Sequence, residues 1–169
     1  MSVVARGAQL AAIRRDGLRL RIEGAERVAR PVASDDPADL GPQDAVIIAL
    51  KAHQAWEVTD RVAPLLGPDT SVVTCQNGVP WWYFYGLPGP LADHTLESVD
   101  PGARQWRAIG PARAIGCVVY PATEMAEPGV IVHKYGNKFS LGEPTGVISG
   151  RCRKFGEIFE AGGLRAPVL

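Results

Sequence analysis

The sequence predicts an α/β fold with a largely parallel β-sheet and helices on both of its faces. Two short apolar runs, at 44–50 and 70–75, are rich in β-branched residues, as is typical of strands covered on both faces. A segment with helical spacing separates the two runs, and the connections are short. This order predicts a βαβ unit, in which two parallel strands are joined by a right-handed crossover.

The beginning of the chain carries the signals of smaller elements. Residues 3–4 form an apolar stub that predicts the last part of a strand. Apolar residues at helical spacing predict a helix over 9–15, which Gly17 ends in a left-handed cap. The alternation over 18–22 indicates a half-buried strand, and the chain is expected to return over 27–32, forming a hairpin.

The middle of the chain predicts three strands of one sheet. The run at 44–50 is the first strand, and apolar residues at helical spacing over 55–66 predict the crossover helix, which Gly67-Pro68 ends. The second strand covers 70–75, and 112–120 is the next buried strand candidate. We expect these three strands to be mutually parallel.

The last forty residues predict a second hairpin and a helix. The segments 129–133 and 138–142 are expected to pair around Gly136-Asn137, and 151–161 has apolar residues on one helical face.

A cluster of five aromatic residues at 81–85 lies within the irregular stretch 80–107. The simplest interpretation is a packed loop or short helix over an edge of the core. A second interpretation is a lid near a ligand crevice. A stacking platform for single-stranded nucleic acid is the weakest alternative, because no basic stripe accompanies the rings.

The composition narrows the class of protein. The 169 residues suit one domain, and 46% hydrophobic with 21% charged residues is close to the globular average. The chain has 18 basic residues (Lys and Arg) and 18 acidic residues (Asp and Glu), so its formal net charge is zero. This balance gives no reason to expect nucleic acid or a membrane as partner. No apolar run has the length of a membrane span, and no signal peptide is recognisable. Three scattered cysteines match no metal site and indicate a reducing, cytoplasmic location.

Polar residues at the ends of predicted strands are the candidates for chemistry, since the chain contains no Gly-rich dinucleotide or P-loop motif and no zinc or nucleophile motif. Ligands of open α/β sheets bind at the carboxyl ends of the strands. Lys51 follows the strand at 44–50, and Gln54 lies one helical turn later. Asn77 lies in the Gln-Asn-Gly that follows the strand at 70–75. Arg6 follows the stub at 3–4, where an arginine can bind the 2′-phosphate of NADP.

Each candidate also has a simpler interpretation. Lys51 can be a surface lysine, and Gln-Asn-Gly can be a plain turn, because Asn and Gly both tolerate positive φ.

Four segments, in order along the chain, resemble the ketopantoate reductases (2-dehydropantoate 2-reductases). They are Val-Ala-Arg-Gly…Ile-Arg-Arg-Asp-Gly-Leu at 4–18, Asp-Ala-Val-Ile-Ile-Ala-Leu-Lys-Ala-His-Gln at 44–54, Gln-Asn-Gly-Val at 76–79 and Val-His-Lys-Tyr-Gly-Asn-Lys-Phe-Ser-Leu-Gly-Glu at 132–143. The Lys-x-x-Gln after one strand and the Gln-Asn-Gly after the next are the most specific parts.

The resemblance implies a Rossmann-like cofactor domain and NADP(H) as cofactor. It implies that Arg6 holds the adenosine 2′-phosphate and that Lys51 and Gln54 line the ribose and nicotinamide region. Asn77 is expected to contact the nicotinamide side and the substrate, and Ala122 to touch the cofactor through its backbone.

The resemblance also implies the reaction. Members of the family use NADPH to reduce ketopantoate, a small 2-oxo acid, to pantoate in the biosynthesis of pantothenate and coenzyme A. A paralogue acting on another 2-oxo acid and a non-catalytic truncated remnant are the alternatives. A homodimer is left open, and no metal ligand is expected.

Two departures from the family pattern are expected. The Gly-rich first strand and turn belong before Val3, and the helical substrate domain, with the proton-donor lysine, belongs after Leu169. Residues 1–169 are therefore interpreted as a partial NADP-binding domain, and no catalytic residue is assigned within them.

Overall fold

The computed structural model describes all 169 residues, which form ten strands and four α-helices joined by loops and 3₁₀ turns. The strands are β1 (Ser2–Val4), β2 (Leu18–Ile22), β3 (Ala25–Ala29), β4 (Val32–Ser34), β5 (Gln43–Ile48), β6 (Leu66–Cys75), β7 (Ala114–Val119), β8 (Ala122–Glu127), β9 (Val130–Tyr135) and β10 (Phe139–Gly142). The helices are α1 (Gly7–Asp16), α2 (Ala52–Ala55), α3 (Arg104–Ala108) and α4 (Gly150–Ala161). No helix combines the length and the apolar character that crossing a bilayer requires.

The chain folds as two compact units. The first unit comprises Met1–Gly41 and Tyr120–Asn137, and the second comprises Pro42–Val119 and Lys138–Leu169.

The first unit contains two small sheets. β1 pairs in parallel with β4, and α1 connects β1 to the hairpin of β2 and β3, which the sequence predicts. The second sheet has the order β3-β2-β9-β8, in which β9 is parallel to β2 and antiparallel to β8. The apolar side of α1 is buried at Leu10 and Ile13, as its helical spacing predicts.

The second unit contains the predicted parallel sheet. Its order is β10-β7-β6-β5, with β5, β6 and β7 mutually parallel and β10 antiparallel to β7. Successive side chains of a strand point to opposite faces. On one face Val72 and Ala114 join a buried cluster that includes Ala55 of α2, and on the other Val73 and Ile115 pack with Cys152 of α4. Helices therefore cover both faces, as predicted.

The aromatic stretch supplies part of this core. Trp81 is only 1% exposed and belongs to the cluster that contains Val72. Its ring meets that of Trp106 edge-on, with centroids 6.4 Å apart. The packed-loop interpretation is therefore confirmed for this residue.

The crossover segment differs from the single helix expected over 55–66. The α-helix covers only Ala52–Ala55, and the chain continues in 3₁₀ turns over Trp56–Arg61 and Ala63–Leu65. Pro64 offers no N–H to an α-helical ladder, and 3₁₀ turns are the usual form of such short pieces. The predicted apolar face of this segment is still buried in the 3₁₀ form, because Val62 and Leu65 lie in the core.

The second predicted hairpin is wrong. β9 and β10 follow each other along the chain, yet β9 pairs with β2 and β8, whereas β10 pairs with β7. Each strand buries its apolar residues in a different core: Val130 is fully buried in the first unit and Leu141 in the second. Burial of these side chains outweighs the local turn signal.

We predict that Gly17→Ala destabilises the chain more than Gly24→Ala does. Both glycines have positive φ, of 85° and 78°, so an alanine at either site costs about 1–2 kcal/mol in backbone strain. A Cβ at Gly17 would also lie 2.7 Å from the carbonyl oxygen of Ala29, whereas nothing lies within 4 Å of a Cβ at Gly24. Denaturant unfolding of both variants measures the difference, and equal losses would contradict this packing of α1 onto the hairpin.

Candidate cofactor and substrate site

A cavity of about 280 Å³ lies within the second unit. It includes the segment that follows the carboxyl end of β6, where the topology of a parallel sheet predicts ligand binding. Its lining residues come from the ends of β6, β7 and β10 and from the aromatic loop, and those used below are Thr74, Gln76, Asn77, Trp82, Gly116, Ser140, Gly142 and Glu143.

Trp82 is held against β7. Its indole N–H donates a hydrogen bond of 3.3 Å to Oγ1 of Thr74, whose hydroxyl donates to the carbonyl oxygen of Ile115. A Cβ at Gly116 would lie 2.8 Å from the Trp82 ring, so this position requires glycine for the ring to lie where it does. Gly142, the register partner of Gly116 on β10, likewise places no side chain in the cavity.

Asn77 extends the pairing of β6 and β7 beyond their last residues. Its Nδ2 donates to the carbonyl oxygen of Val119 at 2.9 Å, and its Oδ1 accepts from the Val119 N–H at 3.0 Å. The side-chain amide thereby pairs with the backbone of Val119 as another strand residue would. The amide nitrogen carries two N–H groups, so one donor remains for a ligand.

An ion pair closes one wall of the cavity. Glu143 accepts from Nε of Arg151 at 2.8 Å and from the hydroxyl of Ser149, the residue that caps α4. The Glu143 side chain is 7% exposed and that of Arg151 is 35% exposed. Burial alone would raise the pKa of Glu143, but the hydrogen bonds from Arg151 and Ser149 outweigh it and hold that pKa below its ordinary value.

Two thiols lie beside the cavity on neighbouring strands. Cys75 and Cys117 are register partners, and both are free. The hydrogen bond between them lowers the pKa of Cys75 and raises that of Cys117, which burial raises further. Cys117 therefore stays neutral and acts as a small apolar filler, as its position in the buried cluster indicates.

Lys51 and Gln54 follow β5 in the same unit. Lys51 precedes the first residue of α2, and its carbonyl oxygen accepts from the backbone N–H of Gln54 at 2.8 Å. Both side chains are exposed and make no hydrogen bond within the chain. Their ammonium and amide groups are therefore free to meet a ligand.

Arg6 and Ala122 lie in the first unit. Arg6 follows β1, is exposed, and makes no side-chain hydrogen bond at the start of α1. Ala122 is the first residue of β8, opposite Tyr135, at a register shift in the ladder.

The five predicted cofactor residues are thus divided between two units. Arg6 and Ala122 belong to the first, and Lys51, Gln54 and Asn77 belong to the second. Sequence reasoning missed several lining residues, namely Thr74, Gly116, Ser140, Gly142 and Glu143. A glycine inside a strand often marks a close approach, and Gly116 within a buried strand was the one available signal.

The chain matches the family described as "Ketopantoate reductase PanE/ApbA" over residues 1–146.

The chain belongs to the ketopantoate reductase family.

Individual relatives agree with this membership. A 2-dehydropantoate 2-reductase from Mesorhizobium japonicum is 53% identical over 168 residues, which cover 99% of the chain and 52% of the relative. A crystal structure from Ralstonia solanacearum, assigned to the ketopantoate reductases, matches with a TM-score of 0.93 and 43% identity over 99% of the chain and 52% of the other. The chain spans about half the length of the curated relatives it matches.

A more distant match supports the fold alone. D-mandelate dehydrogenase, in its structure with NADH and anilino(oxo)acetate, has a TM-score of 0.73 at 14% identity, over 96% of the chain and 46% of the other. Together these structures confirm the predicted Rossmann-like class.

We predict that Glu143→Gln removes an acid-sensitive part of the stability. At pH 7 the loss of the charged hydrogen bonds should cost about 1.5–3 kcal/mol. Because the folded-state pKa of Glu143 is lowered, its contribution is complete above its ordinary pKa of 4.5 and disappears as pH falls through the folded value. The unfolding free energies of wild type and variant should therefore converge below about pH 4.5.

Glu124→Gln is the matched control for this measurement. Glu124 pairs with Lys134, but both side chains are about half exposed, so its loss should cost below about 1 kcal/mol. If the loss of unfolding free energy in Glu143→Gln does not depend on pH, the carboxylate charge does not stabilise this wall of the cavity.

Proposed function

We propose that residues 1–169 form the NADP-binding part of a 2-dehydropantoate 2-reductase, which uses NADPH to reduce ketopantoate to pantoate in pantothenate and coenzyme A biosynthesis. The observation that carries this proposal is the 53% identity to the Mesorhizobium reductase along almost the whole chain. The reaction is that of the whole protein, and no residue of this chain is assigned the general-acid role.

The residues of the second unit fit a nicotinamide cofactor. Gly116 and Gly142 leave the cavity floor without side chains, and Trp82 offers the face or edge of an indole as a wall. Nε2 of Gln76 is buried without a hydrogen-bond partner, which is costly unless a ligand or water pairs with it. When bound, NADPH supplies the hydride. Lys51 and Gln54 would hold cofactor hydroxyl or phosphate groups, since their side chains are free.

The remaining N–H of Asn77 is the proposed contact to the nicotinamide side or to the 2-oxo acid. Fixing the other N–H and Oδ1 on Val119 holds the amide in one orientation, so the free donor is oriented before a ligand arrives. In the first unit, the backbone of Ala122 is the proposed further contact to the cofactor.

Arg6 is the proposed partner of the 2′-phosphate that distinguishes NADPH from NADH. The other two candidate arginines of α1 are already engaged. Arg14 donates from Nε to the carbonyl oxygen of Ala33 at 3.0 Å, and Arg15 pairs with Asp16 at 2.7 Å. The Arg6 guanidinium alone among the three has no partner in the chain, so it is available for two charged hydrogen bonds to a phosphate.

We predict that Arg6→Ala abolishes the preference of the chain for NADPH over NADH. Charge-assisted hydrogen bonds contribute about 1.5–3 kcal/mol each, so the wild type should prefer NADPH by about tenfold or more. Calorimetric titration of both cofactors gives this ratio. The control variant Arg14→Ala should keep the NADPH-to-NADH affinity ratio of the wild type. If the ratio is also unchanged in Arg6→Ala, another group binds the 2′-phosphate.

We predict that the chain can replace the matched half of the Mesorhizobium reductase. The chimera should oxidise NADPH when ketopantoate is added, and Arg6→Ala should lower kcat/KM for NADPH by about tenfold with little change in that for NADH. A folded chimera that does not reduce ketopantoate but reduces another 2-oxo acid would favour the alternative, a paralogue with a different substrate. A folded chimera that reduces neither would contradict the assignment of the activity.

A further inference from the structure

Two free thiols face each other on the neighbouring parallel strands β6 and β7. Cys75 is the last residue of β6, and its register partner on β7 is Cys117. A hydrogen bond joins their side chains. The third cysteine, Cys152, lies on α4 and packs in the same buried cluster as Cys117.

The spacing of the facing pair suits a disulfide bond. Adjacent strands lie about 4.8 Å apart, and the Cα atoms of a disulfide are usually about 4.4–6.8 Å apart. Register partners point to the same face of a sheet, so the two sulfurs leave the backbone in the same direction. The strand ends are held together two residues farther on, where the Asn77 amide bonds to Val119. An S–S bond therefore forms between groups that the strand pairing already holds together.

The two thiols differ in exposure and in acidity. Cys117 is 2% exposed, whereas Cys75 is only partly buried. The hydrogen bond with Cys117 lowers the pKa of Cys75, and the same bond together with burial raises the pKa of Cys117. The thiolate is the reactive form of cysteine, so an oxidant from solution should react at Cys75. Cys117 stays protonated beside it as the second thiol.

Cys152 shows how a cysteine that only fills space differs from this pair. It is fully buried, and burial raises its pKa, as does the nearby charge of Glu143. It has no register partner, because it lies on a helix. Cys152 is therefore the matched control for the two strand cysteines.

We propose that Cys75 and Cys117 form a redox site, in which a hydroperoxide oxidises Cys75 and Cys117 then closes an intrachain disulfide between β6 and β7. Cys117 lines the cavity and Cys75 precedes Gln76, so this bond would lie in the cavity wall. The inference is independent of the proposed function, because the reaction needs neither the cofactor nor the 2-oxo acid.

The reaction proceeds in two steps. The Cys75 thiolate attacks one oxygen of the hydroperoxide, the O–O bond breaks, and Cys75 becomes a sulfenic acid while the peroxide takes up two electrons and leaves as water or an alcohol. The Cys117 sulfur then attacks the Cys75 sulfur, the S–O bond breaks, and the leaving hydroxide takes the Cys117 proton as water. With hydrogen peroxide, two thiols and one peroxide thus give one disulfide and two waters.

The test treats the reduced, folded chain with hydrogen peroxide and identifies the products by mass spectrometry. The wild type should lose about 2 Da, the two thiol hydrogens, and peptide mapping should place the bond between Cys75 and Cys117. Dithiothreitol should restore both thiols. In the folded chain, iodoacetamide should alkylate Cys75 about tenfold or more faster than Cys117 or Cys152, whereas in urea the three rates should become similar.

Three alanine variants separate the roles of the cysteines. Cys117→Ala should accumulate a sulfenic acid at Cys75, which dimedone traps, because no second thiol removes it. Its formation should be slower than in the wild type, since the hydrogen bond that lowers the pKa of Cys75 is lost. Cys75→Ala should slow oxidation of the chain by about tenfold or more, and the control Cys152→Ala should form the disulfide at the wild-type rate.

Several results would overturn the inference. They are an unchanged mass after peroxide treatment, a disulfide that includes Cys152, a bond between two chains, or first oxidation at Cys117. Equal alkylation rates of the three thiols in the folded chain would also overturn it, because cysteines with a purely structural role react only when the chain opens. The mass, mapping and alkylation readouts use the wild-type chain, so they decide the question even where a variant is unstable.

Discussion

The parallel pairing of β6 with β7 is the constraint on which the candidate site depends. Their register places Cys75 opposite Cys117, and the Asn77 amide continues the ladder by bonding both backbone groups of Val119. The segments that leave the two strands are thereby fixed at one edge of the sheet. The absence of a side chain at Gly116 lets Trp82 pack directly on that edge. The cavity therefore follows from strand pairing and one glycine, before any ligand is considered.

The polar groups of this edge divide into those that hold the structure and those left for a ligand. The side-chain amide of Asn77 is hydrogen-bonded to the backbone of Val119. The carboxylate of Glu143 is hydrogen-bonded to Ser149 and Arg151. Nε2 of Gln76 has no hydrogen-bond partner, although it is buried and burial makes that costly. A protein that keeps unpaired polar groups in a cavity gives up stability there, which is the pattern expected of a binding site. The unpaired Nε2 of Gln76 therefore supports ligand contacts at this edge of the second unit.

Much of the fold follows from the sequence because the strongest signals are local and periodic. The β-branched runs at 44–50 and 70–75 predict the parallel strands, and the alternation at 18–22 predicts the first hairpin. The second hairpin could not be predicted, because burial of Val130 and Leu141 in separate cores is a long-range effect that overrides the turn signal at Gly136-Asn137. In the site, Asn77 could be predicted as a lining residue of the cavity because it follows a strand closely. Lys51 and Gln54, predicted from their place after β5, are not among the residues that line this cavity, and their cofactor contacts stay a prediction. Ser140 and Glu143 could not be predicted, because β10 joins this sheet only through antiparallel pairing with β7.

Hydrogen–deuterium exchange of the chain with and without saturating NADPH tests most directly whether the carboxyl ends of β6 and β7 form the ligand edge. The account predicts slower exchange at 76–79 and around Val119, with little change at the amino ends of the same strands, near Thr70 and Ala114. Protection confined to the amino ends, or no change at 76–79 when NADPH is bound, would contradict it.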